Sequence, residues 1–423
     1  MSQLYIGYDE IDITPLNTVE MVGFGRQDEQ SRGVKSPLVA QITVWDSGED
    51  KCCMIAIDHI GFSREHADGL RSQVGEQLHI TKEQVMLCFS HTHSGPNESV
   101  EREYYTSVCK KIVDGVIRAA NNRIPVQIGW GNGQVDIGIN RRYDRQWLDN
   151  RLGLVRIQEA KTEKLVLLLL RLTAHGNVLK ADNYLISPDY FGMVREVLEE
   201  EYQCKVVVTQ GAAGNVAPKY YQSTINPPDA CDDRFIRSKT ALMDMAQEVL
   251  RAVMQMMSNI VLEPESGIQM YSTYLDLYSN VPSYEEALKV ASDAKQYCGI
   301  DGAGWLQEVQ RLNKEEIQEQ IERVEVQFFQ LGDGCLCGVA NEIMCEFALE
   351  VSKQLGNDLI YFGGYTNGCT GYFPTAEEFD KGGYEVYWSL LIFYIYHGRV
   401  YPLRREAWEE LVSFVVDTIR KSS

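Results

Sequence analysis

Phe89-Ser90-His91-Thr92-His93-Ser94-Gly95-Pro96 is the stretch on which the reading of this chain turns. Ahead of it, Glu83-Gln84-Val85-Met86-Leu87-Cys88-Phe89 is apolar enough to form a buried strand, and it ends in two histidines spaced i, i+2 before a Ser-Gly-Pro turn. In an extended backbone residues i and i+2 point to the same side, roughly 6.5–7 Å apart. Two imidazoles then leave the end of a buried strand toward one spot, which is where open α/β sheets hold their ligands. The competing reading is a pair of hydrogen-bonded surface histidines.

The flanking sequence sets the fold class. Upstream, residues 5–13 alternate like a strand, 38–45 and 52–57 read as a hairpin closed by Asp46-Ser47-Gly48-Glu49-Asp50, and 64–78 has helical spacing. Downstream come a helix at 101–120, a strand with glycine bends at 126–139, and a second hairpin, 152–158 with 164–173, that ends on Ala174-His175-Gly176. Helices at 188–201 and 234–257 enclose a short buried strand, 206–209, that runs into Gly211-Ala212-Ala213-Gly214. Residues 283–323 read as helical in two pieces, 324–331, 335–339 and 359–365 as strands, and 343–355 and 404–419 as helices. Strands and helices interleave with no linker and no internal repeat. This predicts one α/β domain over residues 1–423, a mixed β-sheet core flanked by helices.

Composition narrows the function. A formal charge of -20 disfavours nucleic acid and anionic membrane surfaces as partners. The first residues carry no basic and apolar leader, and no run approaches the ~18 apolar residues of a membrane span. The eleven cysteines are an odd number without a framework, so reduced thiols in a cytoplasmic protein are expected. Cys52, Cys53, Cys335 and Cys337 lie in apolar runs and read as packing, and no CxxC pair offers a thiolate zinc site. The expected partner is a small-molecule substrate, with no nucleic acid and no stable membrane association; self-association into a homo-oligomer stays open.

Among the seven histidines, His66 and His79 read as solvated and His397 as a core or capping residue. His175 stands at the end of a strong strand among small neighbours, as His91 does. A zinc site takes three or four N/O ligands, often from separate strand ends, which makes His91 and His175 candidate co-ligands.

A wider pattern adds to these two. His91-Thr92-His93-Ser94-Gly95-Pro96 is followed by Asn140-Arg141, Ala174-His175-Gly176, Ala213-Gly214-Asn215-Val216-Ala217-Pro218, Asn341-Glu342, and Asn367-Gly368-Cys369-Thr370-Gly371-Tyr372. In this order the motifs resemble the neutral/alkaline (non-lysosomal) ceramidase family, and Ile11-Asp12-Ile13-Thr14-Pro15, Met21-Val22-Gly23-Phe24 and Ile57-Asp58 resemble its opening strands. The resemblance covers essentially the whole chain and the family's catalytic domain only; the family's C-terminal immunoglobulin-like domain is expected to be absent. It implies a zinc ion held by His91, His175, Glu342 and Tyr372. It also implies that His93 and Arg141 hydrogen-bond the water or the developing oxyanion, with Tyr384 supporting the same pocket. For Tyr372 the competing role is an aromatic closing a Gly-Tyr-Phe-Pro turn; for Glu342 it is an acid at a helix N-terminus. Arg142, adjacent to Arg141, is expected to face away and to be dispensable.

Two positions depart from the family. It carries Asp and Ser where this chain has Asn215 and Ala217, and the serine is a catalytic or substrate-positioning group there. Nothing in 211–221 restores a nucleophile, and Ser223 and Thr224 are several residues away. The expectation is a zinc-dependent hydrolase in which water attacks an N-acyl (amide) bond of a small soluble substrate, and not an efficient ceramidase. The alternatives are a sugar-processing enzyme, glycoside-cleaving or deacetylating, with Trp130, Tyr143 and Trp147 as stacking surfaces, and a non-catalytic metal-containing binding protein.

Overall fold

The computed structural model describes residues 3–142, 147–220, 239–263 and 267–422; Tyr143, Ser223, Thr224 and the expected helix start at 234 lie outside them. In chain order the strands are β1 (Leu4–Asp12), β2 (Val39–Asp46), β3 (Lys51–Ile57), β4 (Val85–Phe89), β5 (Ile124–Gln134), β6 (Gly138–Asn140), β7 (Arg151–Glu159) and β8 (Leu165–Leu172). They continue with β9 (Lys205–Gln210), β10 (Val216–Pro218), β11 (Ile268–Asn280), β12 (Glu319–Leu331), β13 (Gly334–Gly338), β14 (Glu342–Ile343), β15 (Ile360–Gly363) and β16 (Tyr372–Phe373). The helices are α1 (Arg64–Leu78), α2 (Arg102–Asn121), α3 (Asp189–Tyr202), α4 (Lys239–Met257), α5 (Tyr284–Cys298), α6 (Ala303–Lys314), α7 (Cys345–Leu355), the single turn α8 (Glu378–Lys381), α9 (Leu390–His397) and α10 (Ala407–Ser422).

The expected mixed β-sheet core flanked by helices is present, and among the described residues it is built on two large sheets, with the two-stranded pairs β6-β10 and β14-β16 beside them. One is eight-stranded, ordered β4-β3-β2-β1-β5-β7-β8-β9, and the other four-stranded, ordered β11-β12-β13-β15. Each is mixed: β3 pairs with β4, β8 with β9 and β13 with β15 in parallel, and the other pairs are antiparallel. Side-chain alternation shows how they stack. On β3, Cys53, Ile55 and Ile57 belong to the core on the side of α1, α2, α3 and α4, whereas Cys52, Met54 and Ala56 belong to the core shared with Phe329, Leu331 and Leu336 of the second sheet. On β12 and β13, Val324, Val326, Phe328, Cys335 and Cys337 face Phe347 and Val351 of α7 and Leu411 and Val415 of α10. The architecture is therefore helix, sheet, sheet, helix. β8, Leu-Val-Leu-Leu-Leu-Leu-Arg-Leu, reads as an unbroken apolar run because both of its faces are covered. Each of its buried leucines contributes about 1.5–3 kcal/mol by leaving water.

The large sheet coils until its two edge strands approach. Gln41 on β2 donates to the Val206 carbonyl, and Gln210 at the end of β9 donates to the carbonyls of Ser90 (3.3 Å) and Ala174 (2.7 Å). Gln210 thus ties the chain leaving β4 to the chain leaving β8, and those are the two segments that carry His91 and His175.

β11 was not anticipated, and β12 starts five residues earlier than expected, at Glu319. Glu319-Gln320-Ile321-Glu322-Arg323 has helix-favouring composition, but it is held extended by an unbroken antiparallel register with β11, from Ile268↔Leu331 to Asn280↔Glu319. The expected strand at 126–139 divides into β5, in the large sheet, and β6, which pairs with β10. No helix among the described residues is long and apolar enough to cross a membrane.

Candidate metal centre

The two histidines after β4 are not extended. His91 has φ 58°, in the left-handed region, so a turn and not an i, i+2 strand spacing aims its ring. Backbone bonds fix that turn: Ser90 N–H donates to Ile57 O and His91 N–H to His59 O. Thr92 then forms a parallel bridge with Gly176, and His93 N–H donates to Gly176 O (3.1 Å). A Cβ at position 176 would lie 2.8 Å from the His91 carbonyl, so glycine lets the two segments close. The rings of His91, His93 and His175 end 4.8–5.5 Å apart, centroid to centroid.

All three rings are oriented the same way. Nδ1 of His91 bonds the Ile60 carbonyl at 2.6 Å, that of His93 the Gly23 carbonyl at 2.8 Å, and that of His175 the Ala213 carbonyl at 2.7 Å. A carbonyl only accepts, so each Nδ1 carries a proton, and a ring held this way turns its Nε2 toward the others. Metal-binding histidines are fixed in this manner. One nitrogen from each ring falls within 4.8 Å of the others, and the Nε2 atoms of His93 and His175 are buried without a hydrogen-bond partner.

Glu342 completes the cluster. Its Oε2 stands 3.3 Å from Nε2 of both His91 and His175. Burial opposes its ionisation, but His91 and His175 outweigh burial and hold the carboxyl well below its usual range. Burial, followed by Arg141, pushes His175 down to about 3; burial, followed by His91 and His175, pushes His93 well below the imidazole range. Held in this way, His175 and His93 are neutral near neutral pH and stand with His91 around the Glu342 carboxylate. Such a set of N/O donors suits a divalent ion of the zinc type. The group can hold a metal.

Glu342 belongs to β14, which pairs with β16 in the register Glu342↔Tyr372, and α7 begins only at Cys345. It is therefore no first-turn helix acid. The Tyr372 hydroxyl accepts a hydrogen bond from Arg141 Nη2 at 3.0 Å, and Arg141 also donates to Gly214 O (2.7 Å) and, through Nε, to Glu385 (3.1 Å). Tyr384 opens a π turn, Tyr384–Trp388, after Gly382 and Gly383, both at positive φ, and its ring lies 5.8 Å from that of Tyr372. All seven sequence-predicted residues thus lie in one neighbourhood.

Arg142 departs from expectation. It is 9% exposed, pairs with Glu378, and donates to Glu385 (2.7 Å) and to Gly382 O (2.7 Å). Glu385 bridges the two adjacent arginines, so both are built in. His66 is half-buried and stacked on Tyr105, not solvated, whereas His79 is exposed and His397 is half-buried, its Nδ1 accepting from Arg399 N–H.

The sequence reading also passed over Tyr365, Cys369, Phe24 and Glu385. The Tyr365 ring lies 4.4 Å from that of His91 and its hydroxyl 3.4 Å from Glu342, the Cys369 thiol contacts Glu342 at 3.8 Å, and Phe24 packs 4.8 Å from His93. Cys369 and Phe24 stand inside motifs quoted above but had been given no role, Glu385 neighbours Tyr384, and Tyr365 carried no sequence signal.

At the two departures, Asn215 donates to both oxygens of Glu346 (2.8 and 3.1 Å) and accepts from Cys345 N–H (2.9 Å). A carboxylate there would face that of Glu346, so the amide suits this neighbour. Ala217 is buried on β10 opposite Ile139.

Two cavities meet at the cluster. One, about 380 Å³, is reached by His91, His93 and Glu342 and walled by Met21, Ile392, Phe393 and Tyr396. The other, about 880 Å³, adjoins it across Phe24, His93, Tyr372 and Tyr384. Among the described residues, neither Trp130 nor Trp147 lines either one; Trp130 stacks on Tyr361 between the sheets, and Trp147 lines a separate cavity beside Trp408.

No protein-family model matches the chain, and no curated protein sequence does. Solved structures do. The chain is similar to the neutral ceramidase from Pseudomonas aeruginosa, with a TM-score of 0.73 at 18% identity, over 100% of this chain and 75% of that one. It is also similar to a ceramidase complexed with C2, with a TM-score of 0.72 at 16% identity, over 100% of this chain and 76% of that one. The fold is neutral-ceramidase-like.

Proposed function

We propose that this chain is a zinc-dependent hydrolase in which water attacks the N-acyl (amide) bond of a small soluble molecule, and that it is not an efficient ceramidase. The observation that carries the reading is the convergence of His91, His93 and His175 beside the buried carboxylate of Glu342, a donor set that fits a divalent cation. The similarity to ceramidase structures supports the class of bond. In this reading His91, His175 and Glu342 hold the zinc, with Tyr372 as fourth ligand. When bound, zinc supplies the Lewis acidity that ionises water near neutral pH and polarises a carbonyl.

The remaining work falls to the chain's own groups. His93 cannot donate through Nε2 while its Nδ1–H is tied to Gly23, so it serves as an acceptor and takes the proton of the attacking water. That removes the oxyanion-donor half of its expected role. Burial, followed by Glu342, pushes the Tyr372 hydroxyl well up and Arg141 opposes them, so Tyr372 would meet the metal through its protonated oxygen, which Arg141 holds in place by a hydrogen bond. Tyr384, on the wall between the cavities, donates to the developing oxyanion. Ala217 offers no hydroxyl, so the nucleophile is water.

The test is a panel of short-chain ceramides, N-acyl amino acids, N-acetylated sugars and chromogenic glycosides assayed with added zinc. Release of amine from a soluble N-acyl compound, abolished by a chelator, is expected. Ceramide turnover well above that of every soluble compound, or glycoside cleavage alone, would contradict the proposal.

A further inference from the structure

Asn177 lies two residues beyond His175 and lines the larger cavity. It is 5% exposed; its Oδ1 is buried without a hydrogen-bond partner, and its Nδ2, the atom that can donate, bonds no protein group. A polar side chain left this way inside a folded protein is met by a ligand or by water. Around it the cavity is cationic. Arg141, Arg142, Lys180 and Lys381 face it against Asp182 and Glu385, with Glu378 behind holding Arg142 and Lys381, in a chain whose net charge is -20. Local positive charge on an acidic protein is a field that draws one kind of substituent.

The geometry points to a recognition site in this second cavity for a carboxylate on the amine side of the substrate, with Asn177 and Lys180 as its binding residues. The assignment rests on the amide-hydrolase reading for its orientation. The smaller cavity, with Ile392, Phe393 and Tyr396 on its wall, takes the acyl chain. The scissile bond then lies at His91, His93 and Glu342, and the amine half crosses Tyr384 into the cationic cup. The Asn177 amide donates to one carboxylate oxygen, and the Lys180 ammonium supplies the charge. The class of substrate is an N-acyl amino acid.

The probes are N-acetylglycine and N-acetylglycinamide, which differ only in the carboxylate. Their binding is measured by titration calorimetry to the zinc-loaded protein and to the same protein after chelation, for wild type, Asn177→Ala and Lys180→Met, each variant checked for an unchanged Tm. Wild type is expected to prefer N-acetylglycine by about tenfold or more, with or without metal, and each variant to lose most of that preference. Equal binding of the two probes, binding of neither, or a preference that survives in both variants overturns the assignment. A preference that disappears on chelation also overturns it, because the carboxylate would then sit on the metal. If one variant fails to fold, the other decides. Failure of the hydrolase reading is distinct from these outcomes: it appears as intact probe preference with no turnover of any N-acyl compound.

Discussion

At the residue scale, the three imidazoles differ in what their neighbours leave them to do. His91 and His175 each face Glu342 at 3.3 Å, whereas His93 packs against Phe24 with its Nε2 unpartnered. His93→Ala is therefore expected to keep its metal and to lose roughly 10²- to 10⁴-fold in turnover, the usual worth of a general base. Metal analysis beside single-turnover rates checks this, and a metal-free His93→Ala would mean that His93 is a ligand. The adjacent arginines are not a working residue and a silent one. Arg142→Lys is expected to destabilise by about 1–3 kcal/mol, since an ammonium cannot keep the bonds to Glu378, Glu385 and Gly382 O together. Denaturant titration showing an unchanged midpoint would refute that. The sequence reading went astray here because adjacency in an extended strand puts two side chains on opposite faces. The chain instead turns after Asn140, whose side chain accepts from Arg142 N–H, and both arginines then reach Glu385.

At the element scale, Gln210 is the tie between the strand ends that carry the histidines. It donates to Ser90 O and Ala174 O and accepts from Gly211 N–H. Gln210→Leu is expected to weaken zinc affinity by about 10- to 100-fold, as loss of an outer support for metal ligands does. Competition with a chromophoric chelator measures it, and wild-type affinity would show that the strand ends meet without this tie. β12 supplies a second case. Burial opposes ionisation of Glu322, but Arg399, His397 and Arg64 outweigh it and bring its pKa down to about 2 from 4.5. A depressed carboxyl stabilises the fold above its unfolded pKa and loses that contribution as pH falls through the folded one. The contribution is about 3 kcal/mol, present above pH ~4.5 and gone below pH ~2. The stability gap between wild type and Glu322→Gln, followed by chemical denaturation, is thus expected to narrow as pH drops through that window. A gap that stays constant would count against the pairing with Arg399 as its source. Long apolar or amphipathic elements such as β8, α1 and α3 were legible because their periodicity is local. β11 and the first residues of β12 were not. Their pattern is that of a half-exposed ribbon rich in Tyr, Ser and Glu, held extended by each other's register.

At the scale of the whole molecule, the expected mixed β-sheet core flanked by helices is present, but its division into two large stacked sheets was not legible, since no sequence signal says that Phe329 and Leu336 will pack across from Met54 and Met86. At the candidate site, His91, His175, Glu342, Tyr372 and Arg141 sit in motifs whose order could be read from the chain, while Tyr365 reaches the cluster only through tertiary packing. The coiling of the large sheet brings these separated motifs to one place, so metal binding is expected to stabilise the whole domain and not a loop. The central claim is that the histidine and Glu342 cluster is a metal centre. Elemental analysis of the purified protein, with His91→Ala and His175→Ala alongside, tests it most directly. About one zinc per chain in the wild type and none in either variant, both still cooperatively folded, is the predicted result; a wild type that binds no divalent metal, or variants that keep full occupancy, would contradict it.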